Sequence, residues 1–298
     1  MLKEVCNMEE RTREINAKIG GEIYTPEDLQ KLDEVTLRGA LHERTHHGIE
    51  VPIYPTILRW KDKAIPNFGI DAQILYEEWV RRGYSDTDED ILWVKRYLGY
   101  AAEIREGIKP QIPEIDELPE PFTDEEMKVV RKLLWGRISG RSGWIKKEVP
   151  QEIIDAICEA GRAAPIGCNL DEVRFVVLRT EEEKKLIWSD ISTENAVIIV
   201  ICYDKRPSRI VKQDLPDRVP HNRGFDCAAA GDHMGLMAHA LGLTSVWLSD
   251  TPDSGRKFKE SYGLPEEYEV AMHLAVGYAA AGSIKSARVP LSYMYYSR

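Results

Sequence analysis

Two stretches of the chain crowd chemically able side chains together. Arg137-Ile138-Ser139-Gly140-Arg141 sets two guanidiniums and a hydroxyl within five residues. That is a compact anion-binding group suited to a phosphate, because each guanidinium offers a fixed fork of N–H donors. Taken alone, it reads more plainly as a solvated basic loop. His42-Glu43-Arg44-Thr45-His46 matches H-E-x-x-H, a spacing that on a helix turns two imidazoles to one face, able to chelate zinc with the glutamate as general base. Against a metal stand Arg44, a charge where a buried metal-site helix wants an apolar residue, Gly48, which ends a helix, and the lack of an evident third ligand. A solvated helix end is the plainer reading, and no metal is assigned.

A third stretch, residues 160–178, joins a helix to a strand. Ile153, Ile154, Ile157 and Ala160 form an apolar stripe over residues 151–164, at the i, i+3, i+4 spacing of a helix. Pro165 stops that helix, Gly167 permits a tight turn, and Phe175-Val176-Val177-Leu178 begins a buried strand. Asn169 stands between them with donors and acceptors both available. By itself this is a helix-to-strand turn.

The elements that must position these groups fall into two parts. Residues 1–20 are polar and read as a frayed helix or an arm. Thr25-Pro26-Glu27-Asp28 starts a helix, with an N-cap, proline at the first position and acids facing the dipole, expected to run to His47. Residues 51–70, with Pro52, Pro55 and Pro66, read as an irregular connection. Two amphipathic helices follow, 71–82 and 85–107, burying Trp79, Ile91, Trp93, Val94, Tyr97 and Leu98. Residues 109–121 hold four prolines among acids, a stiff linker. Thr123 and Glu126 then fit a capping box, and Phe122 and Met127 a hydrophobic staple, so a new unit opens there.

Beyond it, strands over 175–178, 196–204, 244–248 and 272–278 alternate with helices over 181–188, 224–242 and 255–262. The middle helix is rich in alanine and glycine, suited to close helix packing or a subunit interface. Residues 205–224 form a long basic loop that would favour an anionic substrate, unless its charges are merely surface charges.

Composition narrows the class. The 298 residues are 43 % apolar and 30 % charged with a formal net charge of −10, which argues against a nucleic-acid-binding role. No segment approaches the ~20 apolar residues of a membrane span, and no signal-peptide core follows Met1. The five cysteines, Cys6, Cys158, Cys168, Cys202 and Cys227, form no C-x-x-C pair and are expected as thiols in a cytoplasmic protein.

Taken in order, these pieces resemble the nitroreductase family of FMN-dependent oxidoreductases over residues 123–298. Arg137, Ser139 and Arg141 match R-R-S-x-R with Ile138 in place of the second arginine. Ala164 to Glu172 matches A-P-S-x-x-N-x-Q-P, with Ile166 for serine and Asp171 and Glu172 for Gln and Pro. Asp226 to Trp247 resembles the D-x-A-x-A helix ending in G-L-x-S-x-W, and Gly277-Tyr278 and Arg288-Val289-Pro290-Leu291 match the closing motifs. The resemblance implies an α+β fold: a central mixed or antiparallel sheet flanked by helices over 121–298; it gives no account of residues 1–120, which read from their own pattern as a mostly helical N-terminal extension.

It further implies FMN as cofactor, NADH or NADPH as transient reductant, and a homodimer acting on a small-molecule substrate, with no nucleic acid or membrane partner. Arg137, Ser139 and Arg288, with Lys285, would hold the FMN phosphate, with Ile138 alongside. Arg141 would lie near the ribityl chain or pyrimidine edge, stabilising negative charge at N1 and O2 on reduction. Pro165, Ile166, Gly167 and Asn169 would border the isoalloxazine, and the backbone of Val246, Trp247, Leu248 and Ser249 would approach from the other side. No protein acid or nucleophile is required, since the flavin carries the chemistry, and the reaction expected is ping-pong. An ionised Asp171 or Glu172 facing the ring would oppose reduced anionic flavin. The rivals are a zinc hydrolase built on His42, Glu43 and His46, and a flavin-binding protein without catalysis.

Overall fold

The computed structural model describes residues 16–187, 193–211, 218–249 and 251–295. The chain divides into two compact units, and the division is not contiguous. The first takes the chain up to Glu120 together with Ile166–Glu172 and Asp204–Phe225; the second takes Pro121–Pro165, Val173–Tyr203 and Asp226–Arg298. A C-terminal domain of 121–298 thus gives up two insertions, which pack among the N-terminal helices.

The first unit opens with a hairpin of β1 (Ala17–Ile19) and β2 (Glu22–Tyr24), turned at Gly20 and Gly21, both with positive φ. The expected arm of residues 1–20 lies outside the described residues up to position 15. The single helix expected from Pro26 to His47 is two, α1 (Pro26–Gln30) and α2 (Glu34–Thr45). The break arises because Asp33 accepts the Thr36 N–H and caps the second helix. A π-helical turn over His46–Glu50 then carries the chain into α3 (Val51–Leu58), where an irregular connection was expected. Pro52 falls in the first turn of α3. Helices α4 (Ile70–Arg81) and α5 (Glu89–Glu106) complete the unit. Leu37, Leu41, Ile49, Ile53, Trp79, Ile91 and Ile104 form its core, joined by Leu170, Ile210 and Val211 from the two insertions.

The second unit begins at α6 (Asp124–Gly136), whose Thr123–Glu126 capping box forms as expected. Phe122 is 62 % exposed, so it buries little against the helix. Then come α7 (Gln151–Arg162), β3 (Val173–Leu178), α8 (Glu181–Lys184), β4 (Val197–Asp204), α9 (Arg218–Ala240), β5 (Thr244–Leu248), α10 (Pro252–Tyr262) and β6 (Tyr268–Gly277). The end of the expected 181–188 helix lies partly outside the described residues. The helix expected from Gly224 starts instead at Arg218, so residues 218–224 are helical rather than loop.

The four strands form one sheet in the order β3-β4-β6-β5, with β3 antiparallel to β4 and β5 antiparallel to β6. The unbroken apolar run of β4 follows from burial on both faces. Val197, Ile199 and Ile201 join Ile154 and Ile157 of α7 and Met234 and Ala238 of α9, while Ile198, Val200 and Cys202 join Phe258 of α10.

Candidate functional site

The anion-binding run is placed by backbone pairing within the second unit. At the end of α6 the chain turns extended at Arg137, and Ser139 bridges Ser245 at the start of β5. The Gly140 N–H donates to the Ser245 carbonyl at 3.0 Å. Glycine is needed there, because a Cβ would stand 2.5 Å from the Thr244 methyl. On the other side the run is sewn to the chain that leaves β6. Ile145 N–H donates to Tyr278 O at 2.9 Å, Ala280 N–H to Gly143 O at 3.0 Å, and Arg141 N–H to Ser283 Oγ at 3.1 Å.

This sewing brings together side chains nearly 150 residues apart. A cavity of about 320 Å³ is walled by Arg137, Ile138, Ser139 and Arg141 from the run, Lys285 and Arg288 from the C-terminal segment, and Leu134, Trp135, Ile284 and Ser286 between them. Six of the residues read from sequence therefore share one cavity. Lys285 Nζ donates to the Trp135 carbonyl, closing one rim. Among the described residues none of the four cations meets a carboxylate, so the cavity carries uncompensated positive charge. Leu134, Trp135, Ile284 and Ser286 were not read from sequence, although each lies within three positions of a residue that was.

The other residues lie elsewhere. Val246 and Leu248 are buried in β5, while Trp247 and Ser249 are exposed, and none of the four lines the cavity. Pro165 closes a segment of the second unit, whereas Ile166, Gly167 and Asn169 fold with the first. There Asp171 Oδ2 lies 3.0 Å from His42 Nδ1, and buried Glu172 accepts from Arg223 at 3.0 Å and Ser208 at 2.5 Å. Both acidic departures from the family motif are thus engaged by side chains of the first unit.

The H-E-x-x-H group is an ion-pair network. His42, 3 % exposed, has Nδ1 on Asp171 and Nε2 on Asp90 at 2.8 Å, which leaves neither ring nitrogen open to a metal. Burial opposes its charge, but the hydrogen bonds and charges of the two carboxylates outweigh burial and raise its pKa above the usual imidazole value. Glu43 is buried and bound to Arg44 at 2.5 Å and His47 at 2.8 Å; burial pushes its carboxyl up, and those partners bring it below the usual range. His46 pairs instead with Glu50 at 2.6 Å. The zinc-hydrolase rival loses its ligands to these pairs. The basic loop likewise spends its charge: Arg206 binds Asp204, Arg209 binds Asp33 and Arg223 binds Glu172. Lys212 lies outside the described residues.

A two-unit chain with a four-stranded, helix-covered sheet and a cationic cavity has the outline of a cofactor-binding α+β protein. The sequence model of the nitroreductase family matches residues 145–200 and 183–278. A protein of Archaeoglobus fulgidus provisionally named NADH dehydrogenase/NAD(P)H nitroreductase is 28 % identical over 160 residues, 51 % of this chain and 86 % of that one. The FMN reductase [NAD(P)H] of Bacillus subtilis is 28 % identical over 181 residues, 55 % of this chain and 71 % of that one. A Bacteroides fragilis nitroreductase structure with bound FMN is 23 % identical, with a TM-score of 0.46, covering 59 % of this chain and 100 % of the other. The second unit is thus similar to the nitroreductase family, whose sequence model it matches between residues 145 and 278. Among the described residues no helix is long and apolar enough to cross a membrane.

Proposed function

We propose that this chain is an FMN-dependent oxidoreductase that draws on NADH or NADPH and reduces a small organic substrate, acting in the cytoplasm as a homodimer. The observation that carries it is the cavity with Arg137, Arg141, Lys285 and Arg288 on its wall and, among the described residues, no carboxylate against them. That donor set fits a phosphate monoester: guanidinium forks, an ammonium and the Ser139 hydroxyl all donate, and phosphate only accepts at its ionised oxygens. The size fits as well, since ~300 Å³ is the lower bound of small-ligand pockets. Leu134, Trp135, Ile138 and Ile284 supply apolar wall beside the charge. The names of the relatives point to the same cofactor.

In this reading Arg137, Ser139, Lys285 and Arg288 bind the phosphate, and Arg141 holds positive charge toward the ribityl chain or pyrimidine edge. By family register, Pro165, Ile166, Gly167 and Asn169 border the ring, with Asn169 hydrogen-bonding its polar edge, and the Val246–Ser249 backbone borders it as well. Bound FMN supplies hydride acceptance from the nicotinamide and onward transfer to the second substrate, in ping-pong order. No side chain of the chain is assigned a proton-transfer or nucleophilic role. The homodimer is supported by α6, which buries none of its residues and leaves Val129, Leu134 and Trp135 48–69 % exposed. The test is a titration of purified protein with FMN, followed by NAD(P)H under anaerobic conditions. Saturable binding and bleaching of the flavin are expected, and no binding overturns the proposal. Binding without bleaching favours a flavin-binding protein that does not turn over.

A further inference from the structure

The loop Ile166–Glu172 enters strand β3 of the second unit, yet it folds with the first. Three side chains of that unit fix it. His42, buried on α2, holds Asp171, and is itself held from α5 by Asp90. Arg223 and Ser208 hold buried Glu172. A Cβ on Gly167 would stand 2.4 Å from the Asn222 side chain, so the loop backbone lies directly on it. The loop needs such fixing, because Cys168, Asn169 and Asp171 all have positive φ, at 58°, 52° and 49°. That conformation strains cysteine in particular, and it persists where surrounding contacts over-determine it.

We propose that His42 is a positioning residue: through Asp171 it holds Cys168 and Asn169 in their left-handed conformation, and so fixes the amide that Asn169 would present to the flavin. This rests on the reading that Gly167 and Asn169 border FMN. It gives Asp171 a role other than facing the ring. Asn at position 171 tolerates a left-handed backbone and still offers His42 an acceptor, whereas Ala does neither.

The experiment uses the full chain and two independent readouts. Alkylation of Cys168 by iodoacetamide, followed by peptide mass spectrometry, reports the loop with or without flavin. FMN affinity and the flavin's visible absorption report the site. Asp171→Ala is expected to speed Cys168 alkylation about tenfold, weaken FMN binding about fivefold and shift the flavin spectrum, while Asp171→Asn stays within about twofold of wild type. His42→Gln should be at least as severe as Asp171→Ala, because it also disturbs the bond to Asp90, and adding Asp171→Ala to it should make neither readout worse, because the bond between the two residues is already lost. Asp171 is 57 % exposed, so its variants test the idea even where His42→Gln does not fold.

An unchanged alkylation rate in Asp171→Ala overturns the proposal, as do additive effects in the double variant. Faster alkylation with an unchanged flavin spectrum and affinity also overturns it, while leaving the wild type's flavin binding intact. Wild-type protein that binds no FMN overturns the oxidoreductase reading and the flavin half of this one together, and the Cys168 rates still judge the anchor.

Discussion

Replacing Arg137 by alanine is expected to weaken FMN binding by roughly 5- to 10-fold, the equivalent of about 1–1.4 kcal/mol. Charge-assisted hydrogen bonds are worth about 1.5–3 kcal/mol when well shielded. Arg137 is half-buried in the cavity wall and, among the described residues, pairs with no carboxylate, so its guanidinium is available to the proposed phosphate. Partial solvent screening removes roughly half of the gross value. Lys285 and Arg288 are exposed, and alanine at either should cost only about two- to threefold. Arg137→Lys should fall between wild type and alanine, because an ammonium keeps the charge but not the fork.

The assay is quenching of FMN fluorescence at low and high salt, with riboflavin as the comparison ligand. Riboflavin lacks the phosphate, so it should bind wild type and Arg137→Ala alike. Arg162, on α7 and away from the cavity wall, supplies a control whose alanine variant should not change FMN binding. An Arg137→Ala affinity within about twofold of wild type would refute the assignment, as would an equal loss for riboflavin.

Other perturbations test the frame. The His42 pair makes stability depend on pH. Its folded pKa lies above the usual value of about 6.5, so its stabilisation is complete below about pH 6.5 and disappears as pH rises through the folded value. Asp90 acts at the acid end. Burial pushes its carboxyl up, but the His42 hydrogen bond and charge bring it below the usual value of about 3.9, so its share is lost as pH falls through the lowered value. The stability gap between wild type and His42→Gln in urea should therefore be widest near about pH 5–6 and narrow by about pH 9; a gap that grows with pH sinks the pairing. Gly39→Ala should destabilise the first unit by about 2 kcal/mol or more, because a Cβ there meets Pro207 backbone atoms at 2.4 Å. A neutral urea midpoint would contradict that packing. Arg223→Met should cost about 3–5 kcal/mol by stranding the buried Glu172 carboxylate, with part recovered by adding Glu172→Met. Equal stability of the single and double variants would show that the pair is not buried as described.

Much of the second unit was legible because its signals are local. The Thr123–Glu126 box needs four residues, the β4 run needs eight, and Pro165 ends a helix on steric grounds alone. The cavity was legible for a similar reason: Arg137, Ser139 and Arg141 share one extended run, and the family order supplied Lys285 and Arg288. The first unit hid more. Pro52 looks like a breaker until its place in a first turn is known, and nothing near His46 announces a π turn. Residues 166–172 read as part of the sheet domain because their neighbours in sequence are. Their partners, His42 and Arg223, lie 129 and 51 residues away in sequence, and contacts at that distance leave no periodicity to read. The H-E-x-x-H spacing was real but misleading, since Asp90 and Asp171, invisible from the motif, occupy both nitrogens of its first histidine.

The most direct measurement is an anaerobic titration of the full chain, first with FMN and then with NADPH and NADH, followed by absorbance at about 450 nm. The account predicts one tightly bound flavin per chain that bleaches on addition of at least one nicotinamide, and a loss of that binding when Arg137 and Arg288 are both alanine. Protein that stays colourless after FMN addition, or a double variant that binds FMN as well as wild type, would contradict it.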